Sequence, residues 1–534
     1  MKTVLFALNS SYTHTNLAVR AIRKSLATAG FSCEVLEFNL KDRKRRVLEA
    51  LINAGGDVYG FSAYIWNIRE LYALAADLKK LLPQAKIIFG GPEVSFDCRE
   101  ILDAHPYIDC IIKGEGEGAF VGVCHMLSDG EELPRIIDGG IYGDFSSAGI
   151  LYSPDELRGG QKIVYYESSR GCPYRCAYCL SAMSGAVRAK DAKTTLSELL
   201  EFELVDNIKV IKFVDRTFNF DRTRAKEIWR GLLSESYTKC YHFEICADLL
   251  DEESFELLSS FPKWKVQLEI GVQSTNPDTL KRVERSPDTK RLIANITRLY
   301  KMGNIHIHAD LIAGLPGENM DSFARSFDAL YGRCHMLQLG FLKLLRGSKL
   351  RETADSFGCI YSSEPPYEVL ATDCLSFSDV CMLHGIDELA DRYCGGAFKR
   401  SLEVVMSRCG SPFGLFSMLA ERFDKDGIHI AECSQPRAYE KLYEYLGQEN
   451  DRELAEALSL DFLTSQKMSP PDFGGHILQK GNSGLKRRFM AWADGTDTEY
   501  FAPALEEWTG TREYVVDRRN MRAYLYLDGS FVEL

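Results

Sequence analysis

Cys172, Cys176 and Cys179 lie in a C-x3-C-x2-C run, Gly171-Cys172-Pro173-Tyr174-Arg175-Cys176-Ala177-Tyr178-Cys179, just after an apolar stretch, Ile163 to Glu167, that reads as a strand. Three thiolates within eight residues suit three corners of a 4Fe-4S cube and leave the fourth iron open to another ligand. Structural zinc needs four protein ligands, usually announced as two pairs. Here no cysteine or histidine follows Cys179 for sixty residues, which argues against zinc. An inert buried thiol cluster is the plainer alternative. The chain has 16 cysteines and no signal-peptide pattern, so the expected compartment is reducing, and clustered thiols there bind metal or do chemistry.

With Tyr178 just before the last cysteine, the run resembles the signature of the radical S-adenosylmethionine (SAM) enzymes. The resemblance implies that the three cysteines bind the cluster and that its open iron takes the amino and carboxylate groups of SAM. A low-potential electron then cleaves the sulfonium bond to a 5'-deoxyadenosyl radical. Cluster potentials span about −700 to +450 mV, and this reaction needs the reducing end, so the implied partner is a flavodoxin or ferredoxin electron donor.

The elements around this loop are legible on both sides. Val4 to Leu8 reads as a buried strand, followed by a helix whose apolar residues Leu17, Ala18, Ala21, Ile22, Leu26 and Ala29 recur at helical spacing before Gly30. Short apolar strands at Cys33 to Phe38, Val58 to Ser62, Ile87 to Phe89 and Cys110 to Ile112 alternate with helical stretches such as Ile68 to Leu82. That alternation predicts an α/β, flavodoxin-like, doubly wound parallel sheet over residues 1–150. Ligands of such sheets sit beyond the carboxyl ends of the strands, here the loops Asn9 to Asn16, Ser62-Ala63-Tyr64, Gly90-Gly91-Pro92-Glu93 and Gly114 to Gly118. The glycines of the last loop come too late in the domain for an NAD fingerprint.

Placed before such a cysteine run, the module resembles the cobalamin (B12)-binding domain of the cobalamin-dependent radical SAM class, in which a serine loop and a Gly-Gly loop embrace the nucleotide tail. The implied cobalamin contacts are Ser62, Gly90 and Gly91, with Pro92 and Glu93 on the same loop. Many such domains carry an Asp-x-His-x-x-Gly loop whose histidine ligates cobalt, whereas this first loop reads Ser-Tyr-Thr-His14-Thr-Asn. His14 either ligates cobalt as a neutral imidazole or hydrogen-bonds at a helix start. A degenerate, empty module is the alternative.

After the cysteines, Thr195-x-x-Glu198 reads as a capping box ahead of a helix from Leu196 to Val205, and Asp221 as the cap of the next helix. Strands are expected at Val210 to Val214, Tyr241 to Cys246, Lys265 to Val272, Ile305 to Ile312 and Met336 to Leu344. Repeated β/α units predict a partial barrel over residues 160–350 with its site at the carboxyl ends of the strands. Residues two apart share a face, so His242, Glu244 and Cys246 point one way, as do Gln267, Glu269 and Gly271, and His306, His308 and Asp310. Polar inward faces are costly unless they hold a polar ligand. Phe243-Glu244-Ile245, Gly271-Val272-Gln273-Ser274, Val283-Glu284-Arg285 and Asp310 to Gly317 resemble the barrel motifs of the branch containing oxygen-independent coproporphyrinogen oxidase and the methylthiotransferases. By that resemblance Glu244, Gln273, Arg285 and Asp310 contact the ribose and methionine parts of SAM. Two histidines and Asp310 also match a non-haem iron triad, a pattern that recurs by chance.

Residues 355–534 are expected to be mostly helical, with stretches from Tyr367 to Tyr393, Phe398 to Arg408, Pro412 to Lys425, Arg437 to Leu446 and Arg452 to Leu463. A Pro/Gly-rich connection, Ser469 to Gly484, then leads to a hairpin of Ala523 to Leu527 and Phe531 to Leu534 through Asp528-Gly529. Nothing in this region names a substrate; Cys374, Cys381, Cys394, Cys409 and Cys433 are too irregularly spaced to suggest a second cluster.

The 534 residues carry 64 basic and 76 acidic side chains, a net charge of −12 that argues against nucleic acid and anionic membrane as partners. No membrane-spanning stretch is present in the sequence, and a cytoplasmic location is expected. The resemblance implies 4Fe-4S, SAM and cobalamin as cofactors and methylation of an unactivated carbon of an unknown substrate through methylcobalamin. One alternative is a cobalamin-dependent radical rearrangement or ring closure without methyl transfer. Another, of a different class, is a non-catalytic iron-sulfur or corrinoid-binding sensor. A methylthiotransferase fits less well, because Cys33, Cys98, Cys110 and Cys124 do not form that family's N-terminal cysteine set.

Overall fold

The computed structural model describes residues 1–143, 145–146, 149–159, 162–183, 185–466, 470–474, 478–480, 487, 512–517, 522–527 and 530–533. It divides into two compact units, Met1–Ser376 and Phe377–Leu534.

The first unit opens with six strands: β1 Thr3–Asn9, β2 Cys33–Asn39, β3 Val58–Ser62, β4 Lys86–Gly90, β5 Cys110–Lys113 and β6 Ile136–Asp138. Their order, β2-β1-β3-β4-β5-β6, is all parallel and flavodoxin-like. β1 is buried along its whole length, as a strand covered on both faces requires. Phe6, Phe61 and Phe89 pack on one face and Leu5, Ile88 and Phe120 on the other. The helix Leu17–Thr28 starts where Asn16 caps Val19 N at 3.1 Å, which fixes the end of the first loop.

The barrel follows: β7 Ile163–Tyr166, β8 Ser169–Arg170, β9 Arg188–Ala189, β10 Val210–Phe213, β11 Cys240–Ile245, β12 Val266–Gln273, β13 His306–Ala313 and β14 Met336–Phe341. Six of these form a parallel sheet in the order β14-β13-β12-β11-β10-β7, an open, partial barrel with helices between the strands. β8 and β9 pair only with each other, antiparallel. The register stacks Lys212, His242, Gln267 and His306 in one interior layer and Glu244, Glu269 and His308 in the next, so the expected alternation holds.

Three expectations change. The Gly114 to Gly118 loop is half helix, because the helix Gly116–Ser128 begins inside it. Thr195 and Glu198 are not a capping box: the helix runs Ala192–Glu203 and Asp191 caps it, which frees Glu198 to accept from Tyr166 Oη at 2.7 Å and Lys190 Nζ at 2.6 Å. Residues 367–376 are not helical, since Val369 N and Tyr367 O pair with Leu342 and Leu344, drawing Val369–Ala371 into a strand.

The second unit holds the helices Phe377–Cys394, Lys399–Arg408, Pro412–Lys425, Gln435–Leu446 and Arg452–Ser465. Its sheet includes a hairpin in which Arg522–Leu527 pairs antiparallel with Ser530–Glu533. The expected turn residues Asp528 and Gly529, Leu534, and most of Ser469 to Gly484 lie outside the described residues. Among the described residues, no helix is long and apolar enough to cross a membrane.

Candidate active site

The cysteine loop leaves the barrel after β7 and is tied off at its neck by the β8–β9 ladder, Ser169↔Ala189 and Arg170↔Arg188. Behind the neck, fully buried Asp215 accepts from Ser168 N (2.8 Å), Ser168 Oγ (2.5 Å), Ser169 N (3.0 Å) and Ser169 Oγ (2.7 Å). Arg224 donates to Ser168 O at 3.2 Å and to Ser168 Oγ at 2.6 Å. These bonds pin the strand-to-loop corner, since a buried carboxylate is tolerated only when its lone pairs are met.

The neck also reaches into the first sheet. Arg170 binds Glu167 through two nitrogens, at 3.0 and 2.7 Å, and pairs with Glu115 at 3.1 Å and Glu117 at 2.9 Å. Arg188 pairs with the same Glu115 and donates to Tyr142 O at 2.5 Å. Burial works against the Glu115 charge, but Arg188 and Arg170 hold its carboxyl below the usual range. The acidic residues of the Gly-Glu-Gly-Glu-Gly segment are thus one link between the first module and the barrel. Sequence reasoning weighed only its glycines; the available signal was two glutamates in one loop and an arginine on each flank of the cysteines.

Within the loop, Ala177 N donates to Val283 O at 3.0 Å and Ala177 O accepts from Leu350 N at 2.8 Å, over an apolar cluster that includes Leu315, Leu342 and Val369. Burial raises the Cys172 thiol, with the nearby Cys179 and Cys176 adding to the rise. Thr217 Oγ1 lies 3.6 Å from Cys172 Sγ, and Arg285 Nη1 3.7 Å from Cys176 Sγ. Among the described residues no three His, Cys, Asp or Glu side chains gather round a single point as the ligands of one ion would. In this arrangement neither His306, His308 and Asp310 nor Cys172, Cys176 and Cys179 stand round one point in that way.

The four residues expected to meet SAM come together at the ends of β11, β12 and β13. At Gly271 the β12–β13 register slips, and Gln273 takes a φ of 72°. An added Cβ at Gly271 would strike the end of the Gln273 side chain and force it to shift, while Arg285 donates to the Gly271 carbonyl. Asp310 Oδ1, Gln273 Oε1 and Arg285 Nε are buried without a hydrogen-bond partner. Orphaned buried donors and acceptors of this kind fit a polar ligand.

Burial raises Glu244 to about 7, with Glu269 adding to the effect and Arg216 opposing it. Burial likewise raises Asp310 to about 7, helped by Glu269 and Glu244. Glu269 is pulled to about 2 by its bond to His242, 3.2 Å away, and by Lys212 at 3.3 Å. A folded-state value above the unfolded one means that stability is lost as pH rises from about 4 to about 7. Glu244→Gln should therefore stabilise the SAM-free protein at pH 8 by on the order of 1 kcal/mol while leaving it unchanged at pH 4. Equal melting shifts at both pH values would refute this.

Above the first sheet, Ser62 Oγ accepts from Asn16 Nδ2 at 3.2 Å, and Ala63 N donates to Gly90 O at 2.7 Å. Gly91, at φ 117°, lies so near that an added Cβ would overlap the Ala63 backbone. Ser62, Gly90 and Gly91 thus form one continuous floor. Tyr64, hydrogen-bonded to Ser62 and Asn16 and raised by burial, lies within electrostatic reach of Arg216 and Glu167 at the barrel mouth. Pro92 is exposed. Glu93 turns away and is buried, accepting from Tyr367 Oη with Arg346 Nε 3.5 Å distant. His14 is exposed, and its Nδ1 meets Tyr165 Oη on β7.

The comparisons agree with this layout. Family models match at residues 4–124 (B12 binding domain), 166–330 (Radical SAM superfamily) and 355–497 (Protein of unknown function, DUF4080). The chain is 27% identical over 308 residues to 2-(S-pantetheinyl)-carbapenam-3-carboxylate methyltransferase of Streptantibioticus cattleyicolor, a match covering 51% of this chain and 44% of the relative. It is 24% identical over 309 residues to the cobalamin-dependent radical SAM methyltransferase TokK of Streptomyces tokunonensis, with 51% and 44% covered. The chain therefore spans less than half the length of these curated relatives. Among solved structures, the cobalamin-dependent SAM radical enzyme OxsB, with aqua-cobalamin and SAM bound, superposes with a TM-score of 0.57 at 14% identity, covering 93% of this chain and 81% of that one. The radical SAM methyltransferase TsrM of Kitasatospora setae, with tryptophan and a SAM analogue, gives 0.54 at 16% identity, covering 68% and 77%. These likenesses show a shared fold. The chain thus carries a B12-binding domain, a radical SAM domain and a DUF4080 region, one after another.

Proposed function

We propose that this chain is a cobalamin-dependent radical SAM methyltransferase acting on an unactivated carbon. The observation that carries the reading is the set of orphaned polar atoms, Asp310 Oδ1, Gln273 Oε1 and Arg285 Nε, beside a loop bearing three cysteines. When bound, a 4Fe-4S cluster with SAM would supply hydrogen abstraction and cobalamin a transferable methyl group, chemistry that belongs to the cofactors.

The chain's own part is binding, orientation and exclusion of water. Cys172, Cys176 and Cys179 would hold three irons as thiolates, and the loop's backbone bonds keep them in place when SAM enters. Arg285 retains free N–H groups with which its planar fork can take a carboxylate through two bonds. Glu244 and Asp310, near 7, are able to give or accept a hydrogen bond at a ribose hydroxyl. Ser62, Gly90 and Gly91 would form a floor beneath the nucleotide tail of cobalamin. Glu93 serves as an anchor to Tyr367 and Arg346, and His14 as a contact to Tyr165, rather than as cofactor ligands. The electron comes from a flavodoxin or ferredoxin, the donor class that suits a low-potential cluster.

The test is iron and cobalt content, with the visible spectrum, of protein made with cobalamin supplied and purified without oxygen. About four irons and one cobalt are expected for each chain. With a donor and substrate, 5'-deoxyadenosine and S-adenosylhomocysteine should rise together. Iron without cobalt sinks the methyltransferase reading. 5'-Deoxyadenosine without S-adenosylhomocysteine favours rearrangement or ring closure.

A further inference from the structure

We propose that Arg285, seconded by Thr217, raises the reduction potential of the cluster by donating to its thiolate sulfurs, a role separate from any contact with SAM. The inference rests on the reading that Cys172, Cys176 and Cys179 hold that cluster.

Arg285 is half-buried with its Nε enclosed, and among the described residues no carboxylate forms an ion pair with it, Asp310 acting on it only from a distance. Nη2 donates to Gly271 O, Nη1 lies 3.7 Å from Cys176 Sγ, and Nε has no partner. A buried cation without a counter-ion is costly unless an anion stands nearby. With a cluster bound, the sulfur of Cys176 would be that anion.

The arrangement is held rather than incidental. The helix Pro277–Arg282 ends in a reversal in which Glu284 takes φ 55° and Arg285 N donates to Leu280 O at 2.9 Å. In the same reversal, Val283 O accepts from Ala177 N, the residue next to Cys176, at 3.0 Å. Arg285 and Cys176 are therefore fixed to one piece of backbone. On the other side of the loop, Thr217 Oγ1 lies 3.6 Å from Cys172 Sγ and 2.7 Å from Arg216 O. Its single proton goes to Arg216 O here and must turn to reach the sulfur, which makes Thr217 the weaker donor.

Reduction adds one electron to a partly enclosed anionic cluster. Hydrogen bonds to the sulfurs and a nearby positive charge favour the reduced form, because they offset the added negative charge where water cannot. Without them the cluster's potential falls, and a flavodoxin or ferredoxin reduces a smaller fraction of it.

The experiment is an EPR-monitored titration with dithionite, without SAM, of the full chain after anaerobic reconstitution, comparing wild type with R285Q, R285K and T217V. In R285Q the reduction equilibrium constant should fall about tenfold, about 59 mV for a one-electron couple. R285K keeps the charge and should stay nearer wild type, and T217V should shift the same way by less. Intact clusters in R285Q and T217V that titrate with wild type overturn the proposal. So does R285K falling as far as R285Q, since shape rather than charge would then matter. If R285Q assembles no cluster, T217V decides, and an unshifted potential there is fatal. A wild-type chain that takes up no iron fails differently: it removes the cluster reading itself.

Discussion

Cys176→Ala should abolish SAM cleavage, with 5'-deoxyadenosine formation falling on the order of a thousandfold or more, as expected when one member of a unit that works only when complete is removed. Iron should fall well below the wild-type content, and the brown cluster absorption should be lost with it. The fold should survive, because the loop is stitched through backbone atoms of Ala177 to Val283 and Leu350 rather than through the thiol. Truncating one small buried side chain costs about 1 kcal/mol, so the melting curve should move by only a few degrees. Cys374→Ala is the matched control, since that thiol is exposed and far from the C-x3-C-x2-C run in sequence. Retention of wild-type iron by Cys176→Ala would overturn the assignment of the loop.

The second large effect is expected at Arg170. Arg170→Met keeps the length of the stem but leaves the Glu115, Glu117 and Glu167 carboxylates facing one another at the neck of the loop. Breaking one side of a largely buried ion network costs about 3–5 kcal/mol, because uncompensated charge stays behind. Thermal melting should drop accordingly, and proteolysis should find the segment 171–187. Arg188 shares Glu115, so the double variant with Arg188→Met should be less damaging than the sum of the two. An unchanged melting temperature for Arg170→Met would mean that the network is decorative. The expected coupling has a functional side as well: Glu115 and Glu117 lie in the loop and helix that follow β5 of the first sheet, and the arginines frame the cysteines.

Much of this protein was legible before any coordinates. β1, β3 and β4 follow from short apolar runs, and β10 to β13 from alternation, because both patterns are written over a handful of adjacent residues and depend on local geometry. The three cysteines and the order of the two α/β modules were equally plain. At the carboxyl ends of the first sheet, Ser62, Gly90 and Gly91 form one surface.

The errors share a cause. Thr195 and Glu198 satisfy the capping-box spacing, but Asp191 caps the helix earlier and Glu198 is drawn inward by Lys190 and Tyr166. Residues 367–371 have helical composition, yet they lie beside Leu342–Leu344 and take up the backbone bonds offered there. A distant partner also holds Glu93 of the Gly-Gly loop: Tyr367, 274 residues away.

The sequence by itself determined the chemistry available, namely a cysteine triplet on a barrel loop, polar inward faces and a flavodoxin-like sheet ahead of them. Tertiary structure alone decided the partners: Glu115 and Glu117 with Arg170 and Arg188, Glu93 with Tyr367, Arg285 with Cys176. The physical reason is that periodicity is a property of neighbouring residues, whereas the pairing of charges depends on which distant segments the closed chain brings within a few ångströms, in surroundings dry enough for a misplaced charge to be costly.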